Sequence, residues 1–209
     1  MKDAGELPTA ISVKFAIATA AVHRYKTDEP ELWTTLVSML KWSLKQQDGS
    51  SNLIPMDPYE FCRLVANLSR RRESDPELWQ IIAKVLVTLM NTKKLSEEDV
   101  MHLTRSFVNA KVRSDRLYGF IVRYINSLGF EKKVQDSIRP DVPVLFLFSL
   151  AKACPKFGDE ASESLFLSKM NDYLMDKMDS LPDKLCEISL DAWKHNPNFL
   201  NDETKEALS

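Results

Sequence analysis

Glycine is in short supply in this sequence: Gly5, Gly49, Gly119, Gly129 and Gly158 are all there are in 209 residues. Hairpins and tight turns consume more than that, because left-handed turn positions favour the residue without a Cβ. The shortage excludes most all-β architectures and points to helices. Cysteine is scarce too, and badly arranged for cross-linking. Cys62, Cys154 and Cys186 are odd in number, widely spaced and set among apolar neighbours. They read as reduced core thiols in a reducing compartment, not as a disulfide framework. No apolar run reaches the roughly 18 residues that mark a membrane-spanning helix. The longest, Val142 to Leu150, is interrupted by Pro143 and Ser149. The opening MKDAGELPTA has neither the apolar core of a secretory signal nor the arginines of a transit peptide.

Catalytic signatures are also missing. There is no Gly-rich phosphate loop and no nucleophile elbow. His23, His102 and His195 stand far apart, and no Cys–Cys or Cys–His spacing suits zinc. The carboxylates gather at helix starts and on polar faces. The expectation is a protein that is not an enzyme, with no metal, no cofactor and no small-molecule substrate.

What the sequence does contain is repetition. TDEPELW ends at Trp33 and SDPELW ends at Trp79, 46 residues later. The phrase is a helix start. Asp75 is placed to cap, Pro76 occupies the first helical position where its missing N–H costs nothing, and Glu77 lies in the first turn, where the helix dipole favours negative charge. Leu78, Ile81, Ile82, Val85, Leu86 and Leu89 follow at helical spacing. Leu32, Leu36, Val37, Leu40 and Leu44 do the same in the earlier copy. Each copy is preceded by another helical segment, TAISVKFAIATAAVHRYK and DPYEFCRLVANLSRRR, the second opening on Asp57, Pro58 and a capping-box Glu60. Weaker versions continue the series. Ser96 and Asp99 open one helix, Ser114 another with Leu117–Tyr118 in the place of Leu78–Trp79, and Leu165–Phe166 marks a third.

The markers Trp33, Trp79, Tyr118 and Phe166 are 46, 39 and 48 residues apart. Recurring beside leucine on an apolar stripe, they read as core aromatics between repeats. A helix pair cannot bury its apolar face alone, so neighbouring pairs stack. The expected fold is all-α: an α-α superhelix of about five helix-turn-helix repeats in a single domain, 1–209. The approximate repeats are 8–50, 53–93, 96–136, 139–179 and 181–209. The short, polar last helix serves as the cap of the array.

Net charge is −2 but unevenly spread. Residues 61–123 carry 12 basic and 7 acidic side chains and hold eight of the ten arginines, whereas residues 124–209 carry 10 basic and 15 acidic. Arg70, Arg71 and Arg72 end one helix, and Lys111, Arg113 and Arg116 occupy the corresponding place one repeat later. Arg63, Arg105 and Arg123 extend the set. Stacked repeats would line these up on one edge, suited to phosphate because arginine donates a planar pair of hydrogen bonds. The competing reading is a solvated surface. Cations favour helix C-termini in any case, and Glu73, Asp75, Glu77 and Asp115 stand near enough to pair with the arginines.

LVANLSRRRESDPELWQIIAKVL (64–86) and FVNAKVRSDRLYGFIV (107–122) resemble the octotricopeptide and heptatricopeptide repeats of organellar RNA-metabolism proteins, including those of the FAST-kinase-like and RAP-domain proteins. The pattern covers about residues 8–209, and those two repeats match it well. The chain departs from the family in having no recognisable RAP domain and in being shorter and more acidic than most RNA-reading members. The resemblance implies a superhelical fold, a mitochondrial or plastid location, here the mitochondrial matrix, and work with RNA or in a ribosome. The expected role is a non-catalytic scaffold subunit of a mitochondrial ribonucleoprotein such as the mitoribosome. It would touch ribosomal RNA backbone through the arginine-rich edge and protein subunits through the acidic end. The alternative is a pure protein–protein scaffold in a mitochondrial membrane complex such as ATP synthase or a respiratory complex, itself not membrane-spanning.

Overall fold

The computed structural model describes residues 30–45, 57–130, 132–153 and 159–209. The first expected helix, the QQDGSSN linker (46–52), His23, Tyr25 and Cys154 lie outside the described residues. Every regular element among the described residues is helical. The α-helices are α1 (Pro30–Lys45), α2 (Pro58–Arg70), α3 (Pro76–Asn91), α4 (Glu97–Asn109), α5 (Asp115–Leu128), α6 (Lys132–Ser137), α7 (Asp141–Ala153), α8 (Glu160–Lys177), α9 (Asp183–His195) and α10 (Asp202–Leu208). Single 3-10 turns at Met178–Ser180 and Pro197–Phe199 join the last three. No described helix is long and apolar enough to cross a membrane.

The chain divides into two compact units, Met1–Lys94 and Leu95–Ser209. In the first, α1 packs on α3. Leu36, Val37, Leu40 and Leu44 of α1 are buried, as are Leu78, Ile82, Val85, Leu86 and Leu89 of α3. In the second, α7 packs against both α4 and α9, while α8 packs against both α5 and α10. The contacts thus run in two rows, α4–α7–α9 and α5–α8–α10. Phe146 of α7 meets Phe166 of α8 edge-on, with ring centroids 5.7 Å apart. Asn126 of α5 donates to the Ser162 carbonyl of α8 at 2.8 Å.

The helix starts follow the local code in detail. The Asp75 carboxylate accepts from the Leu78 amide at 2.9 Å, Ser114 Oγ from Leu117 at 3.3 Å, and Ser96 with Asp99 forms a reciprocal capping box. Asp57 departs from expectation: it stands at the cap position without a side-chain capping bond, so no box forms with Glu60. The two prolines of SIRPDVP act differently. The break falls at Ile138–Pro140, whereas Pro143 is accommodated in the first turn of α7, where no intrahelical bond to its nitrogen is needed.

Helix ends repeat one geometry three times. After α2, the Arg72 amide donates to Ser69 O and the Glu73 amide to Leu68 O, both at 3.0 Å. After α3, Lys93 and Lys94 donate to Met90 O and Leu89 O; after α4, Lys111 and Val112 donate to Val108 O and Phe107 O. This is the Schellman closure, whose pivot residue is left-handed and most often glycine. Here the pivots are Arg72 (φ 61°), Lys93 (φ 51°) and Lys111 (φ 60°). A Cβ at such a position is strained.

Replacing Lys93 with glycine is therefore expected to stabilise the protein by about 0.5–1 kcal/mol relative to Lys93→Ala. Urea unfolding of the two variants checks this, and equal midpoints would show that the pivot carries no strain. A second expectation concerns Asn171, which is buried in α8. Its side-chain amide donates to Leu167 O at 2.7 Å and to Phe199 O at 3.2 Å, and its oxygen accepts from the Asn201 amide at 3.0 Å. Asn171→Ala leaves backbone groups of residues 199–201 without these partners and should cost about 1–3 kcal/mol. Faster amide exchange at 199–208 than in α4 would localise the loss.

Candidate nucleic-acid interface

The turns between α2 and α3 and between α4 and α5, with the helix ends beside them, carry six of the nine candidate cations, and they are built alike. Thirty-nine residues apart, each runs from a Schellman closure to a capped helix whose second apolar residue is aromatic. Trp79 Nε1 donates to the Glu73 carbonyl at 2.9 Å, and Tyr118 Oη donates to the Val112 carbonyl at 2.6 Å. Each ring is buried with its polar tip satisfied by the turn it supports. The clamp fixes where the turn side chains emerge.

Arg70 and Arg72 are exposed at the first turn, and Lys111, Arg113 and Arg116 at the second. Arg63 on α2, Arg105 on α4 and Arg123 on α5 are also exposed. Arg71 differs from its neighbours. It is half-buried, with its guanidinium 4.0 Å above the Trp33 ring, a stacked cation–π contact. It therefore contributes to the packing of the first unit more than to its basic surface.

Among the described residues, no carboxylate forms an ion pair with any of these nine cations. The acids near the first turn have other partners. Glu73 accepts from Trp33 Nε1 through one oxygen and from the Ser74 and Asp75 amides through the other, at 2.8 Å each. Asp75 and Glu77 both accept from Lys41 of α1, at 2.8 and 2.9 Å. The charge that would have neutralised Arg70 and Arg72 is thus drawn to α1.

The four marker aromatics divide. Trp79, Tyr118 and Phe166 are buried, but Trp33 is only half-buried, between Arg71 and Glu73. Leu165, the partner of Phe166, is 49 % exposed, unlike Leu78 and Leu117, so the Leu–aromatic phrase is rotated at α8. The thiols of Cys62 and Cys186 are half-buried and not core, and burial pushes the Cys186 thiol up, away from thiolate. His102 is exposed and 3.6 Å from Glu98; His195 is exposed beside the Phe148 ring. No three of His, Cys, Asp and Glu stand together as metal ligands among the described residues.

Sequence reading missed Lys41. Its hydrogen bond holds the Asp75 carboxyl below the ordinary aspartate value, with the Leu78 amide acting in the same direction and burial opposing. A carboxyl that ionises at lower pH in the folded chain stabilises the fold fully above its unfolded-state value. That contribution is lost as pH falls through the folded one. Asp75→Asn keeps an oxygen for the cap and removes the titration. The wild type should therefore lose more stability than Asp75→Asn between about pH 5 and pH 2. Urea midpoints at a series of pH values check this, and parallel curves would remove the Lys41 pair from the account.

Compared with known proteins, the chain matches no protein-family model and no curated protein.

Proposed function

We propose that this chain is a non-catalytic helical-repeat subunit that binds RNA backbone, stacked as an α-α superhelix and working within a mitochondrial ribonucleoprotein such as the mitoribosome. The observation that carries the reading is the exposed arginine set at two turns of the same construction, none of it ion-paired to a carboxylate among the described residues, with the acids of the first turn committed to Lys41, Trp33 and backbone amides. An arginine already paired would have to break that pair to reach a phosphate; these do not. The guanidinium fork then meets phosphate oxygens with two parallel hydrogen bonds. Contacts of this kind position a protein on RNA without reading bases.

The superhelical part of the proposal rests on the two rows of helix contacts, α4–α7–α9 and α5–α8–α10, and on the matched turns of α2–α3 and α4–α5. The mitochondrial setting rests on the resemblance of residues 64–86 and 107–122 to organellar repeat proteins. Ultraviolet crosslinking in native extract, followed by sequencing of attached RNA, tests the whole. Crosslinks to ribosomal RNA are expected, and they should disappear when Arg70, Arg72, Arg113 and Arg116 become glutamate, with Arg71 kept because it packs on Trp33. A protein that carries no RNA above background and stays in a large complex after nuclease would be a protein–protein scaffold instead.

A further inference from the structure

Helix α2 presents a second surface that the turn arginines do not account for. Its buried side consists of Phe61, Leu64, Val65 and Leu68. On its opposite side Tyr59, Arg63, Ala66 and Arg70 follow at steps of four, three and four residues, which places them in one row along the helix. Tyr59 is 66 % exposed, the most exposed large apolar side chain among those described. The Arg63 guanidinium lies 5.6 Å from its ring centroid. Arg63 and Arg70 are exposed and form no ion pair with a described carboxylate. At 1.5 Å of rise per residue, about 6 Å separates Tyr59 from Arg63 along the axis and about 10 Å separates Arg63 from Arg70.

An isolated exposed tyrosine needs no explanation. This one is oriented by an arginine, stands at the end of a basic row, and leaves two thirds of its surface in water. Resting on the RNA-backbone reading above, we infer that the outer face of α2 is a single-strand site, where one unpaired base stacks on Tyr59 while Arg63 and then Arg70 hold phosphates further along the same strand. The charge of the row selects an anion. The aromatic selects a polymer whose flat groups are free to leave their own stack, and a duplex does not offer that. Tyr59 accepts any base, because every base has a π-face. Arg63, already close to the ring, keeps its cation near both ring and phosphate, so little side-chain freedom is lost on binding.

The test uses the full chain, a fluorescently labelled 15-nucleotide oligouridylate and a blunt RNA duplex of equal length, with anisotropy measured over a salt series. Tyr59→Ala should weaken oligouridylate binding by about 5- to 100-fold, leave the duplex unchanged and leave the salt slope unchanged. Tyr59→Trp should restore affinity, with indole emission quenched on binding. Arg63→Gln and Arg70→Gln should each reduce the salt slope on oligouridylate by about 0.7. If Tyr59→Ala binds like the wild type while the arginine variants weaken, the stacking site is wrong and the backbone reading survives. Equal weakening on single strand and duplex by Tyr59→Ala also overturns stacking. If the wild type binds neither RNA, both readings fail together. Helicity by circular dichroism guards against an unfolded variant, and the exposure of Tyr59 makes one unexpected.

Discussion

The described structure depends on a buried aromatic that reaches back across its own turn. Trp79 and Tyr118 are large enough to fill the space behind a helix pair, and each brings a polar group that burial would penalise by a few kcal/mol if left unpaired. The carbonyl six residues earlier resolves that conflict in both cases. The carbonyl belongs to the residue that completes the Schellman closure of the preceding helix. One side chain therefore ties a helix end, a turn and the next helix start into a single rigid joint. Phe166 occupies the analogous place without a polar tip, and there the packing relies on the edge-on contact with Phe146.

Rigid joints fix where long side chains on turns leave the backbone. The arginines at the two turns project from backbone held by caps, closures and clamps. A ligand meeting them would not have to order the backbone first, so less of its binding free energy is lost to entropy. Arg71 marks the limit of that surface. It emerges from the same turn as Arg70 and Arg72, but the Trp33 ring draws it into the packing of the first unit.

Much of the helical layout could be read locally. Caps such as Ser96 with Asp99, first-turn prolines at 58 and 76, and apolar stripes at 3.6-residue spacing are encoded within a few residues of each other, and the structure places helices there. What escaped was set by residues distant in sequence. Nothing within seven residues of Asp75 announces Lys41, 34 positions away, yet that lysine decides that the acids of the turn do not neutralise its arginines. The half-exposure of Trp33 and the outward turn of Leu165 have the same origin, since a local phrase does not say which neighbour will cover it. The failed cap at Asp57 is a matter of geometry that residue type alone does not determine.

The left-handed pivots carry a consequence for how this chain tolerates change. Most surface cations sit on a regular helix, where a substitution alters propensity together with charge. Arg72 and Lys111 sit where the backbone prefers glycine to any side chain. Evolutionary drift toward glycine at these two positions would meet no resistance from the fold, and would if anything be rewarded with stability. A side chain at either pivot therefore costs the fold stability that glycine would return, and the left-handed backbone gains nothing from its charge.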